Sequence, residues 1–422
     1  MKKLCLFFIS LLLLTACSDE IPETEVKQER TVMAYLVANN KGGDLGKYLR
    51  RNIVDMYSGL TSLDKPSTLL VYYRPSKHDP LLESLGRTPA VLTAPSILKF
   101  VSDGKGNVNG KPVLDEYDRT AHTVVAQAEV FPYTEADHIA TDPLTMQKVF
   151  TDMKNLSFSE SYGLVFGSHG SGWMPGRSVQ TKSFGDDAGY SIDIPVLADV
   201  LETVFAGEDL DFVLFDACMM AAAEVCYELR DATDYVIGSV LETPVDGFPY
   251  KTIFSTLYEK DVDYQKVCDG FIEHNRISPT AGWGTCAAVD CGKIQLLADW
   301  VKKSLPDSQS YWDESYYTKI QQYGVGSFSY FSFDVVDFFR QQTGEVPAEL
   351  QTIMDQVVVG KQCLSGPQYD FNGLVIDKGR FCGIGMYFPY NLPTSMNRQG
   401  WMEYYENAID WYTAVEWQRF RK

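Results

Sequence analysis

Five short apolar runs separated by stretches of helical period constrain this chain more tightly than any other feature of its sequence. The runs are "TVMAYLVANN", "STLLVYYRP", "YGLVFGSHG", "LDFVLFDA" and "DYVIGSVLE". Apolar residues occupy consecutive positions in them, as in strands that are buried on both faces. Between them lie segments such as "DLGKYLRRNIVDM", where Leu45, Leu49, Ile53 and Met56 recur at helical spacing. In "DPLTMQKVFTDMKNL", Asp142 stands at a capping position and Pro143 at the first helical one. "IPVLADVLETVF", "CMMAAAEVCYELRDA", "FPYKTIFSTLYEK" and "DYQKVCDGFIEHNR" continue the alternation. The pattern predicts an α/β fold: a mostly parallel sheet with helices on both faces. Residues 75 to 140 are mixed, with "SDGKGNVNGKP" a loop or hairpin tip. Beyond residue 300 the pattern loosens to helical stretches at "PAELQTIMDQVVVG" and "WMEYYENAIDWYTAVEWQRF", with a strand at "GIGMYFPY" between them.

The N-terminus is a targeting segment and is set aside from the fold. Lys2 and Lys3 precede the apolar "LCLFFISLLLL", which is too short for a comfortable membrane span. It ends in "LTAC", which looks like a bacterial lipobox and implies cleavage before Cys17 and lipidation of its thiol; the alternative is an ordinary secretory signal. The expected organisation is therefore a signal peptide over 1–17, a polar tether over 18–30, a main sheet domain over 31–300 and a C-terminal region over 301–422 packed on it. The expected location is the bacterial outer membrane, on its periplasmic or cell-surface side, with lipid as the only membrane contact. A net charge of -19 argues against nucleic acid as a partner. Of the nine cysteines, Cys5 and Cys17 fall in the signal segment. That leaves an odd number for the folded part, Cys218 among them, and hence at least one free thiol.

Ligands of open α/β sheets bind outside the carboxyl ends of the strands. Two consecutive core strands deliver reactive groups there: "LVFGSHG" ends at His169 and "VLFDAC" at Cys218. One crossover joins them, so the two strands can be neighbours and their side chains can meet at one edge. Thiol and imidazole together suit acyl transfer, the sulfur attacking a carbonyl and the ring moving the proton. Cys218 is expected to open its helix, where the dipole and unpaired amides would lower its pKa. The backbone N–H groups of Gly170 and Cys218 are candidate oxyanion donors. Either residue taken alone is as well explained by packing or by a turn. His78, His122, His138 and His274 lack the strand-then-glycine context.

With "YGLVFGSHGSGW" and "DFVLFDACMMAAAEVCYEL" in hand, the chain resembles the clostripain family of cysteine peptidases. "TVMAYLVANN", "DYVIGSVLETPVDGFPY" and "GIGMYFPY" extend the likeness to about residue 390. The resemblance implies a caspase-like three-layer αβα sandwich with a C-terminal α+β extension. It implies Cys218 as nucleophile, His169 as general base and acid, and cleavage after Arg or Lys. Asp216 and Asp246 match the acidic residues of the family's specificity pocket; packing alone would make them a strand-end cap and a turn residue. Self-cleavage in the loop after the histidine is implied as well, with Arg177 and Lys182 the candidate sites, giving a monomer that becomes two-chain after processing. Two features depart from the pattern: "VANN" lacks the acidic residue that usually precedes the asparagines, and "KGGD" looks inserted. No cofactor is required. Calcium, used by some members, has no supporting motif here. Two other readings stay open: a peptidase or transpeptidase with another P1 preference, and a catalytically silent surface-anchored binding or adhesion module on the same scaffold.

Overall fold

The computed structural model describes residues 27–40, 45–76, 94–109, 111–112, 128–135, 137–176, 183–278, 282–305, 318–325, 329, 331–388 and 400–420. The central sheet is built from β1 (Gln28–Val37), β2 (Pro66–Arg74), β3 (Ser96–Asp103), β4 (Asn107–Val108), β5 (Lys111–Pro112), β6 (Glu129–Pro132), β7 (Ser159–Gly167), β10 (Asp209–Asp216), β11 (Tyr235–Gly238), β12 (Thr285–Asp290) and β14 (Val358–Cys363). Its order is β14-β12-β11-β10-β7-β1-β2-β3-β4-β5, with β6 on β3. The five middle strands run parallel, and antiparallel strands extend both edges. Two small pairs lie apart, β8 (Phe184–Asp187) with β9 (Tyr190–Ile192) and β13 (Phe333–Asp334) with β15 (Gly385–Met386).

Alternate residues of β1 show how the three layers form. Val32, Ala34 and Leu36 face α1 (Gly46–Leu60), α5 (Tyr250–Leu257) and α6 (Tyr264–Ile277). Met33, Tyr35 and Val37 face α2 (Pro143–Leu156), α3 (Ile194–Val204), α4 (Ala223–Glu228) and α7 (Ile294–Ser304). Every one of these six side chains is fully buried, each larger one contributing about 1.5–3 kcal/mol over exposure. The expected cap of α2 is present: Asp142 accepts from the Thr145 N–H at 2.9 Å, with Pro143 at the helix start.

The C-terminal region does more than pack on the sheet. After α8 (Val335–Thr343) and α9 (Ala348–Val357) the chain enters β14, which pairs with β12 and lengthens the central sheet. The expected single helix over 401–420 is α10 (Trp401–Ala408) and α11 (Asp410–Ala414), broken at Ile409, where the backbone is extended. The described residues of "GIGMYFPY" contribute only β15. Trp401, Tyr405 and Trp411 join the same core as β1.

Two buried carboxyls of α4 bind this region. Glu224 accepts from the Tyr387 N–H at 2.8 Å and the Tyr405 hydroxyl at 3.1 Å, and Glu228 from the Asp410 N–H at 2.7 Å. Burial pushes the first up to about 7 and the second, with help from Asp410, up to about 8. Both therefore hold protons in the fold that the unfolded chain has already released. Their contribution to stability is complete below the ordinary glutamate value of 4.5 and is lost as pH rises through 7 and 8. The melting temperature should fall between pH 6 and pH 9, and should fall less in a Glu224→Gln/Glu228→Gln variant. Equal slopes in a differential scanning calorimetry series would rule this linkage out.

Candidate active site

β7 and β10 are hydrogen-bonded parallel neighbours, with Phe166 beside Phe215 and Gly167 beside Asp216. Their carboxyl ends finish level, so His169 and Cys218 leave the sheet side by side, at the edge where α/β sheets bind ligands. The loops touch at Gly170. A Cβ there would lie 2.9 Å from the Cys218 carbonyl oxygen and 3.1 Å from both Ala217 Cβ and Met220 Sδ. Gly172, at φ +62°, comes equally near the Met219 carbonyl. Gly170 and Gly172 of "GSHGSG" are there because backbone meets backbone, whereas Gly167 lies against the Leu36 and Leu49 side chains. His169 itself is held from the other side by the Asn40 carboxamide, 3.2 Å from Nε2. The hairpin of β8 and β9 that follows His169 is anchored to the end of β1. Ala188 N–H donates to the Asn39 carbonyl at 2.7 Å, and the buried Asp187 carboxylate takes Arg74 Nε at 2.9 Å and the Ala140 N–H at 2.7 Å.

The setting of Cys218 differs from the expected one. The helix begins at Ala223, and Cys218 sits in a turn with Met219. Met219 adopts φ 62°, a left-handed conformation costly for a side chain with a Cβ, and it stops helical winding there. The N–H groups of Met219 and Ala221 bond to the carbonyls of Leu241 and Ser239 beyond β11, so they are lost to any helix. Without a helix N-terminus the thiol is not acidified. Burial pushes it up to about 12, Glu242 and Asp216 adding to the rise and the Thr243 N–H, 3.3 Å from Sγ, opposing it. Among the described residues, the N–H groups of Gly170 and Cys218 have no hydrogen-bond partner.

A cleft of about 160 Å³ opens between the two loops, lined by His169, Asp216, Cys218, Glu242, Tyr48 and Val245 among others. Ligand pockets for whole small molecules begin at about 300 Å³, so this volume suits a single side chain. Asp216 forms part of the wall. Its Oδ2 accepts from the Tyr250 hydroxyl at 2.8 Å and from Phe248 N–H and Asn52 Nδ2 at 3.2 Å. Burial raises its carboxyl to about 6 against those first two bonds. Asp246, expected beside it, is not among the lining residues; its carboxylate meets Arg51 Nη1 at 3.2 Å and Ser278 Oγ at 2.9 Å. Arg177, Lys182 and Cys17 lie outside the described residues, as do His78 and His122. His138 is a buried partner of the Tyr72 hydroxyl, at 2.7 Å. Among the described residues, no group of three or more His, Cys, Asp or Glu could hold a metal ion. Asn40, Thr243 and Glu242 were not singled out from the sequence. Only the second asparagine of "VANN", at a strand end, hinted at the first.

A three-layer sandwich that presents a thiol and an imidazole from adjacent strand ends is the frame of a cysteine hydrolase. A sequence model of the clostripain family matches residues 34–422, and the chain belongs to that family of cysteine-type endopeptidases. No curated protein matches it. Among solved structures it is similar to a secreted C11 cysteine protease from Bacteroides thetaiotaomicron in complex with an irreversible peptide inhibitor. The TM-score is 0.66 at 21% identity, over 92% of this chain and 99% of that one. It is also similar to an inactive zymogen C11 protease from Parabacteroides distasonis, with TM-score 0.66 and 20% identity, over 92% of this chain and 98% of that one. At these identities the likeness establishes the fold, and it is the caspase-like sandwich that the resemblance implied.

Proposed function

We propose that the chain hydrolyses peptide bonds after Arg or Lys, with Cys218 as nucleophile and His169 as general base and then acid. The observation that carries this reading is the seating of Gly170 against the Cys218 turn, which puts thiol and imidazole on one cleft with acidic walls. Because the resting thiol is protonated, His169 takes its proton as sulfur bonds to the scissile carbonyl carbon. The N–H groups of Gly170 and Cys218 receive the oxyanion. Collapse expels the amine, which carries away the proton from His169. Water, deprotonated by the same ring, then splits the thioester, releasing the carboxylic acid and restoring the thiol. Asp216 in the cleft wall, with Asp246 next in the chain to the lining Val245, is the acidic feature that would favour a cationic P1 side chain.

Export fits the same reading, with lipid on Cys17 as the membrane attachment; among the described residues no helix is long and apolar enough to cross a membrane. Activation by self-cleavage at Arg177 or Lys182 belongs to it too. The test is a panel of fluorogenic peptides with Arg, Lys, Asn, Asp or Leu at P1, run beside Cys218→Ala. Arg or Lys turnover that disappears in the variant, and a two-band pattern on a denaturing gel for the active protein alone, are the expected results. Turnover confined to other P1 residues would refute the specificity. No turnover, with or without prior trypsin activation, would refute the catalytic reading.

A further inference from the structure

Four of the cysteines in the described residues stand in two pairs. Cys268 of α6 and Cys286 of β12 share one buried core, where α6 packs on β12 and the two thiols are hydrogen-bonded to each other. Cys226 of α4 and Cys291, the residue after β12, form a second hydrogen-bonded thiol pair in the core on the other face of the sheet. The Cys291 N–H also donates to the Asp234 carbonyl at 2.8 Å, which fixes it beside the turn that follows α4. All four side chains are buried. The remaining thiols are placed differently: Cys218 Sγ accepts from the Thr243 N–H, Cys382 Sγ donates to the Ile384 carbonyl at 3.2 Å, and Cys363 ends β14. A buried cysteine packs as a small apolar side chain and needs no second cysteine beside it. Two pairs on opposite faces of one strand therefore ask for another reason, and side-chain contact between separate elements is the first condition for a disulfide. Both cross-links would act on β12, and β12 supports the nucleophile. Thr285, next to Cys286, meets the Ser239 hydroxyl with its Oγ1 at 2.8 Å and accepts the Leu241 N–H there at 3.3 Å. The carbonyls of Ser239 and Leu241 in turn hold the Ala221 and Met219 N–H groups of the Cys218 turn.

We infer that Cys268–Cys286 and Cys226–Cys291 are disulfides in the exported protein, formed as the chain folds outside the cytoplasm, and that they clamp β12 to the helices on both faces of the sheet. The inference rests on the export reading above and not on the P1 preference. The oxidant is a low-molecular-weight disulfide. One thiolate of a pair attacks it and expels a thiol, and the second thiolate then displaces the other half from the mixed disulfide. The chain's two thiols are oxidised to one disulfide, and the oxidant leaves as two thiols carrying their protons. This exchange belongs to folding, before the core closes. In the finished fold burial and Cys268 hold the Cys286 thiol well above the ordinary range, and Cys226 and burial do the same for Cys291. Cys218, only partly buried in its cleft, stays open to a mild thiol that leaves both cross-links intact.

The test uses full-length Cys218→Ala protein, which cannot digest itself. It is recovered from cells by fractionation and, separately, refolded from reduced, denatured chain with oxidised and reduced glutathione. Each sample is denatured, alkylated with iodoacetamide and cut before Asp290, which separates Cys286 from Cys291, and linked peptides are read by mass spectrometry. Peptides joined through 226–291 and 268–286 are expected in both samples, with Cys363 and Cys382 alkylated. Chain refolded in excess dithiothreitol should melt lower by roughly 5 °C or more. Free thiols at the four positions in chain recovered from the envelope overturn the inference, as do free thiols or any other pairing in the chain refolded with glutathione. Recovery from the cytosol alone overturns the export reading, and the refolded chain then decides the pairing by itself.

Discussion

Cys218→Ala and His169→Ala should each lower kcat/KM for an Arg peptide by at least ~10⁴-fold, and the double variant should be little worse than either single one. The reason is the resting state of the site. With its thiol pushed up to about 12 by burial and by Glu242 and Asp216, Cys218 has almost no thiolate at neutral pH. In the proposed mechanism attack then depends on proton removal by His169 in the same step, so the two residues would act as one device and their losses should not add. A helix-activated thiol would behave otherwise: it would stay ionised without the histidine, and His169→Ala would retain much of its reactivity toward iodoacetamide. Alkylation rates of the two proteins from pH 6 to pH 9, together with the four kcat/KM values of the cycle, decide the matter. Additive losses, or a His169→Ala protein that alkylates rapidly at pH 7, would contradict the mechanism.

Gly170→Ala should cost about 10²-fold in kcat while leaving the protein folded. The added methyl would sit 2.9 Å from the Cys218 carbonyl oxygen and 3.1 Å from Ala217 Cβ and Met220 Sδ. The sulfur of Met220 ends a flexible side chain and can move, but the Cys218 backbone cannot yield without shifting the nucleophile against His169. A displacement of about 1 Å at a reacting pair is worth about 100-fold in rate. Circular dichroism and melting temperature should change little. A variant with wild-type kcat would show that the two loops need not touch for catalysis.

Much of this architecture is written locally in the chain. The runs that become β1, β2, β7, β10 and β11 are apolar at consecutive positions because both their faces are covered, and one dimension suffices to see that. The cap at Asp142 involves residues three apart, and the tip "SDGKGNVNGKP" closes on itself through Asp103, which accepts the Lys105 N–H at 2.8 Å and the Asn107 N–H at 3.1 Å. β12 and β14 went unread because they pair antiparallel at the sheet edge with partners far along the chain. In β14 the "VVVG" run continues a helical period to the point where pairing with β12 takes over. The start of α4 was misplaced for the same kind of reason. "CMMAAAEVCYEL" has helical composition throughout, and the left-handed backbone of Met219, in a turn bonded to Leu241 and Ser239, stops the helix from reaching Cys218.

The sequence by itself determined the layered α/β sandwich and the delivery of His169 and Cys218 to one sheet edge, while the resemblance of its motifs implied the family. Those depend on hydrophobic period, strand order and residue type, which are properties of short segments and of one crossover. Only the tertiary structure decided what surrounds the reacting atoms. It placed Asn40 on the imidazole and the Thr243 N–H on the sulfur, and gave Asp246 to Arg51. A carboxylate's partner is fixed by distance and burial in three dimensions, and residues at the ends of different strands acquire those only when the sheet closes around them.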